Sequence, residues 1–227
     1  MAQNVILFDI NETVLDLSIL RPKFQYYFGE ESHMDTWFSM LLHSSTVCLI
    51  TAVKTDFKCL AKAALDSLAG KLNVLLSQED CDDIIGTLGR LPAHADIKPA
   101  LIKLREAGFK LVAFSNSSLQ LLSSQLKHAT LNSYFDDVIS VESASTFKPA
   151  KDAYQFAVKK LNVAPHFIRL VATHDWDTHG ALTAGINAAF IDRLGYPYNP
   201  MYQKPNITAK TMGDLADQII ATQIMYE

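Results

Sequence analysis

The sequence predicts an α/β chain: a doubly wound parallel sheet with a helical domain inserted directly after its first strand. Three observations carry that prediction. Short, β-branched apolar runs recur without polar alternation, as expected of strands buried on both faces. Helical stretches separate most of these runs, the pattern of repeated strand–helix–strand units. The alternation lapses once, between Asp16 and about Pro92, where the apolar spacing turns helical.

Val5-Ile6-Leu7-Phe8 is the first strand, and it stops abruptly at Asp9. In the insert, residues 36–53 carry no formal charge. His43-Ser44-Ser45-Thr46 in their middle makes them a buried helix or pocket wall rather than a membrane span. Phe57, Leu60, Ala61, Ala64 and Leu65 fall at helical spacing, and Ser77-Gln78-Glu79-Asp80 reads as the start of another helix. A helix over 97–107, closed by Gly108, leads to a strand over 109–114. A helix over 119–129 leads to a strand over 138–141, and a helix over 151–161 to a strand over 168–172. The fifth strand spans 188–191, and the Pro/Tyr/Asn-rich stretch 196–205 reads as an irregular loop before a terminal helix. Residues 1–15 and 93–227 thus form a Rossmann-like core, and 16–92 a helical cap domain. In such sheets ligands bind outside the carboxyl ends of the strands, where Asp9, Ser115 and the residues after Ala172 fall.

The composition fits this size of fold and excludes several partners. At 227 residues and 49% hydrophobic, the chain can bury a large core. Its 20 Lys and Arg against 24 Asp and Glu, with no long run of either sign, predict no nucleic-acid partner. Cys48, Cys59 and Cys81 are odd in number and lack CxxC spacing, so neither a disulfide framework nor a zinc site is expected. A reducing cytoplasm suits them. Residues 1–4 carry no Lys or Arg, and Asp9 and Glu12 break the apolar run behind them, so no signal peptide is expected.

Phe8-Asp9-Ile10-Asn11-Glu12-Thr13 places a Thr four residues after a strand-terminal Asp. By itself this is a common turn pattern. Ser115-Asn116 after a strand, Lys148-Pro149 before a helix, and Asp177 in a loop after another strand follow in order. Together with the insert, this series resembles the haloacid dehalogenase superfamily over nearly the whole chain. Ser115-Asn116, Lys148-Pro149 with Tyr154, and Trp176-Asp177 resemble the L-2-haloacid dehalogenases more closely. The resemblance implies that Asp9 attacks the halogen-bearing carbon, while Ser115, Lys148 and backbone N–H groups beside Ile10 and Asn11 and after Ser115 hold the substrate carboxylate. It also implies a homodimer and no cofactor.

Elementary chemistry reaches a similar reading. A carboxylate in a dry pocket beside an ammonium group can displace a good leaving group, splitting hydrolysis into two steps. Thr13 would brace the Asp9 loop; Asp177, ionised beside Lys148, would activate the water for the second step. Ser115 and Asn116 would donate to carboxylate oxygens. Phosphatases of the superfamily carry an acid two residues after the nucleophile, where this chain has Asn11, and a further acid for Mg²⁺ where it has Thr173. The expectation is therefore metal-independent carbon chemistry. An (S)-2-haloacid would become an (R)-2-hydroxy acid and halide through an ester on Asp9. A Mg²⁺-dependent phosphatase and a non-catalytic anion-binding protein are the rivals.

The chain also departs from the family pattern. If Trp37 is the Trp that precedes the family's halide-binding Arg, its neighbour here is Phe38, leaving Asn116 and the edges of Phe38, Phe57 and Trp176 to cradle a halide. Glu12 stands where the family has Gly, and His174, expected to face the pocket, where it has Asn. From local sequence alone Asp177 reads nearly as well as a routine helix N-cap, and His179 at least as well as a surface or hydrogen-bonded loop histidine.

Overall fold

The apolar runs form one parallel sheet. The structure, a computed structural model, describes residues 4–193 and 195–224. β1 (Val5–Phe8), β2 (Lys110–Ser115), β3 (Asp137–Ser140), β4 (Ile168–Ala172), β5 (Asn187–Ile191) and β6 (Ile207–Ala209) pair in the order β3-β2-β1-β4-β5-β6. Every pairing is parallel. The order reverses at β1, whose Phe8 registers with Ala113 on one side and Val171 on the other. Asp9 therefore emerges at the point where such sheets open a crevice.

The expected strand positions hold to within a residue or two, with one addition. Ser115 is the last residue of β2 rather than the first after it, and Val141 opens a 3₁₀ turn (Val141–Ala144) instead of closing β3. β6 was not expected. Three residues are too few to show a period, and this edge strand pairs with β5 alone.

α5 (Ile97–Glu106), α6 (Leu119–His128), α7 (Lys151–Leu161), α8 (Asp175–Thr183) and α9 (Met212–Ile224) accompany the sheet. Gly108 takes φ +87° just beyond α5, a left-handed position that suits glycine. The N-terminal cap of α6 is Ser118, which accepts from Leu121 N; the preceding Ser115 and Asn116 are left for other partners.

α1 (Arg21–Phe28), α2 (His33–Ile50), α3 (Phe57–Leu72) and α4 (Gln78–Thr87) fill the connection between β1 and α5. The helical spacing around Phe57 becomes the buried face of α3, with Leu60, Ala61, Ala64 and Leu65 inside. Trp37 on α2 is fully buried, packs on Phe24 and donates to Ala61 O at 2.9 Å. Ser77 and Asp80 form a reciprocal capping box that starts α4. The uncharged stretch 36–53 is largely α2, whose far end exposes Val47 and Ile50. Among the described residues no helix is long and apolar enough to cross a membrane. The expectation about a signal peptide falls partly on residues 1–3, which lie outside the described residues.

The chain leaves for these helices and returns side by side. Asp16 N donates to Pro92 O at 2.8 Å, and His94 N to Val14 O at 3.0 Å. Two aromatic contacts then link the insert to the sheet's carboxyl edge: Phe38 to His174 and Phe57 to Phe147.

Candidate active site

Asp9 follows a strand that is buried throughout and is itself only 6% exposed. Its backbone stays in line with the sheet, donating to Val171 O at 3.0 Å, and the chain then turns sharply, with Val14 N and Leu15 N both donating to Ile10 O. This turn brings Thr13 back over Asp9. Thr13 Oγ1 donates to Asp9 Oδ2 at 2.8 Å and accepts from Thr173 N at 3.0 Å, which ties the turn to the end of β4. Arg193 clamps the turn from outside, donating to Thr13 O at 2.8 Å while pairing with Asp96.

The other oxygen of Asp9 belongs to a buried ionic chain. Lys148 Nζ lies 2.7 Å from Asp9 Oδ1 and 2.6 Å from Asp177 Oδ2, and Tyr154 Oη donates to Asp177 Oδ1 at 2.6 Å. Lys148 and Asp177 have essentially no exposed side-chain surface. Burial would neutralise Lys148, but the two carboxylates outweigh it and hold the ammonium above its ordinary range. For Asp9 burial pushes upward, and Lys148 and His174 overcome it, so the carboxyl sits well below the usual range. Burial raises Asp177 against the pull of Lys148, with the charge of Asp9 adding to the rise. The environment thus drives the two acids apart: one a permanent carboxylate, the other poised to take a proton.

Asp177 is not in a loop, as its sequence neighbourhood suggested, but in the first turn of α8. The loop after β4 is only Thr173 and His174, so the helix starts earlier than expected. The carboxylate of Asp177 turns into the site instead of capping the helix. Gly180, one turn on, makes this packing possible: a Cβ there would stand 2.6 Å from Tyr154 Oη and 2.8 Å from Pro149 Cβ.

Asn116 also has an employment inside the protein. Its Oδ1 accepts from Lys148 N at 2.8 Å and its Nδ2 donates to Lys148 O at 3.3 Å, so the amide grips the backbone that carries the ammonium. Both ends are engaged within the protein. Ser115 Oγ accepts from Ser117 N at 3.1 Å. Asn11 is fixed as well, accepting from Gln125 Nε2 at 3.0 Å and approaching Ser117 Oγ at 3.4 Å.

His174 faces Asp9 from the far side. Its Nε2 pairs with Glu12 Oε2 at 2.7 Å, and its Nδ1 stands 3.3 Å from Asp9 Oδ2, off the line a good hydrogen bond needs. The ring is stacked against Trp176 at 5.0 Å, with Phe38 at 6.0 Å. Burial acts to lower its pKa, but the contacts and charges of Asp9 and Glu12 prevail and raise it to about 10. The ring is therefore an imidazolium at neutral pH.

Of the other expected residues, Ile10 is buried beside Asp9 in the turn. Phe57 and Asn116 line a cavity of about 370 Å³ with Thr146 and Phe147, and Lys54 and Asp56 also border it. Phe38 and Trp176 belong to the His174 side. No cluster of three or more potential metal-ligating acids, histidines or cysteines occurs among the described residues.

Glu12, Gly180 and Gln125 were not expected as site residues. Glu12 had been visible only as a departure from a pattern. Its φ of +63° explains why glycine suits that position, and His94 Nε2 braces its carbonyl at 3.0 Å. Gln125 sits mid-helix with no local signal of its role.

Known proteins similar to this chain identify its family. The model of the haloacid dehalogenase-like hydrolase family matches residues 3–168. The chain belongs to that family. Among its relatives, (S)-2-haloacid dehalogenase 1 of Pseudomonas sp. (strain CBS-3) is 28% identical over 193 residues, 84% of this chain and 85% of that protein. (S)-2-haloacid dehalogenase 4A of Burkholderia cepacia is 27% identical, covering 87% and 85%. L-2-haloacid dehalogenase RSc1362 superposes with a TM-score of 0.91 at 25% identity, covering 97% of this hydrolase and 100% of that chain. The Xanthobacter autotrophicus L-2-haloacid dehalogenase with chloropropionic acid covalently bound has the same fold, with a TM-score of 0.86 at 22% identity over 96% and 98%.

Proposed function

We propose that this hydrolase removes halogen from short (S)-2-haloalkanoic acids, giving (R)-2-hydroxy acids through an ester on Asp9. One observation carries the choice of carbon over phosphorus. Asp9 is held ionised while the residue two positions on, Asn11, has no acidic proton and its amide is committed to Gln125. A departing alkoxide would need a proton there; a halide needs none. The relatives named as (S)-2-haloacid dehalogenases support the same reading.

In this reading Asp9 displaces halide from the 2-carbon with inversion, and water then attacks the Asp9 carbonyl, leaving the new stereocentre untouched. Lys148 and the hydroxyl of Ser115 hold the substrate carboxylate, and Asn116 acts through the Lys148 backbone it grips. Asp177, raised by burial and fixed by Lys148 and Tyr154, takes the proton of the attacking water. Residues 16–92 act as the cap over this chemistry, with Phe57 against Phe147 on one side and Phe38 and Trp176 beside His174 on the other. Cytoplasmic placement and a homodimer are part of the proposal. The free thiols of Cys48, Cys59 and Cys81 suit a reducing compartment, and sedimentation velocity reads the dimer.

The direct test is halide release from (S)-2-chloropropionate in the presence of EDTA, run beside p-nitrophenyl phosphate with Mg²⁺. EDTA-resistant halide release is the expected result. Metal-dependent phosphate release would replace this reading with a phosphatase, and silence in both would favour an anion-binding protein. One turnover in ¹⁸O-water with excess enzyme should label the peptide containing Asp9.

A further inference from the structure

We infer that His174, positioned by Glu12, is a catalytic residue of the second half-reaction, its Nδ1–H stabilising the charge that builds on Asp9 Oδ2 when water attacks the aspartyl ester. This rests on the ester chemistry proposed above. The role is assigned to atoms: Oδ1 of Asp9 makes the new bond to carbon, and Oδ2 becomes the ester carbonyl oxygen.

The geometry argues for it first. Nδ1 is buried, has no well-aligned acceptor, and lies 3.3 Å from Oδ2. Thr13 Oγ1 already donates to the same oxygen at 2.8 Å, so a second donor completes an oxyanion site on Oδ2. A donor that is badly aligned to the resting carboxylate has more to gain in the transition state than in the ground state, which is what accelerates a step. Lys148 does not supply this donor, because its ammonium stands on the other oxygen, 2.7 Å from Oδ1.

The second argument is what happens to the neighbouring charges during turnover. In the resting site two anions, Asp9 and Glu12, hold the imidazolium. Alkylation of Asp9 removes one. Glu12 is then the anion that keeps His174 protonated, and its backbone takes a left-handed conformation to reach it. The remaining charged groups nearby are otherwise engaged. Asp175 and Asp192 border a cavity of about 160 Å³ beside His174, but Asp175 accepts from Trp176 N and Asn199 N, and Asp192 from Gly195 N. α2 brings up Phe38, which is uncharged, while Arg193 and His94 bind the carbonyls of Thr13 and Glu12.

The step balances as ordinary ester hydrolysis. Asp177 takes a proton from water as its oxygen bonds to Asp9 Cγ, and the carbonyl electron pair moves onto Oδ2 beside His174 and Thr13. Collapse restores the carbonyl and breaks the bond from Cγ to the alkyl-bearing oxygen, Oδ1, which leaves as alkoxide and takes the proton back from Asp177. The regenerated Asp9 carboxyl carries water's oxygen and loses its remaining proton to solvent.

The test is a single turnover of (S)-2-chloropropionate with excess enzyme, quenched over time. Released halide and the mass of the Asp9 peptide are followed together. His174→Phe, which keeps an aromatic ring beside Trp176 but removes the N–H donor, should still release its first equivalent of halide while ester loss slows by ~10²-fold or more, so the peptide stays alkylated. Glu12→Gln retains the imidazole but loses one cause of its raised pKa. Because the protonated form is the active one, the alkaline limit of its ester-loss rate should move to lower pH, by about 1 unit or more. Equal slowing of halide release and ester loss in His174→Phe, or an unmoved pH limit in Glu12→Gln, would overturn the assignment. Absence of halide release from the unmodified enzyme defeats the parent reading and this one together. Normal turnover without ester build-up in His174→Phe defeats only the role of His174.

Discussion

The two oxygens of Asp9 are held by two cations, each backed by a second carboxylate, yet the two flanks are built differently. On the Oδ1 side Lys148 bridges to Asp177 through charge-assisted bonds of 2.7 and 2.6 Å, and every group is satisfied. On the Oδ2 side Glu12 holds His174 at 2.7 Å, but the contact from His174 onward to Asp9 is long and poorly aligned. The first flank is closed in the resting enzyme; the second keeps a donor in reserve. A nucleophile that must give up its charge and later regain it is served by one permanent partner and one whose contact can tighten.

Removing Lys148 should break this comparison most severely. Lys148→Met leaves Asp9 and Asp177 facing each other without a cation, and loss of one partner from a buried ionic group costs about 3–5 kcal/mol. We expect a large fall in urea midpoint and halide release down by ~10³-fold or more, since Asp9 loses one of its two cationic partners and the carboxylate site its cation. A variant as stable and active as the parent would show that the Lys148 bridge has no special weight.

Gly180→Ala probes the same flank from behind. The new Cβ would collide with Tyr154 Oη and Pro149 Cβ, displacing the tyrosine that fixes Asp177. Overpacking of this kind costs about 1–3 kcal/mol, read as a lowered urea midpoint at unchanged slope. Ester loss should slow more than halide release, because Asp177 serves the second step.

The unequal legibility of the two flanks has a physical cause. Asp9, Thr13, Lys148 and Asp177 stand at strand ends and helix starts, where apolar runs stop, and their order along the chain was enough to group them. The five longer strands were readable for the same reason, whereas β6 was too short to carry a period. Partnerships were less readable. Asn116 and Lys148 exchange hydrogen bonds across 32 positions, and Glu12 and His174 meet across 162, distances that no local pattern encodes. Glu12 and His174 registered separately as departures from a family pattern, and only the fold makes them one pair.

The Oδ2 flank gives the smallest effect on the folded protein and the one with the clearest sign. His174 has a folded-state pKa raised to about 10, against an ordinary value of 6.5. A raised pKa contributes stability that is fully present below the unfolded value and is lost as pH rises through the folded one. Unfolding free energy should therefore decline between about pH 6.5 and about 10, with this residue as one contributor. Glu12→Gln should make its decline shallower, because the pKa of His174 falls toward its unfolded value when that carboxylate is neutralised. Lys148 and Asp9 remain in both proteins, so the difference between the two urea-midpoint curves isolates the Glu12–His174 pair. Parallel curves across that window would mean that Glu12 does not raise the pKa of His174, leaving Asp9 as the carboxylate that holds its charge.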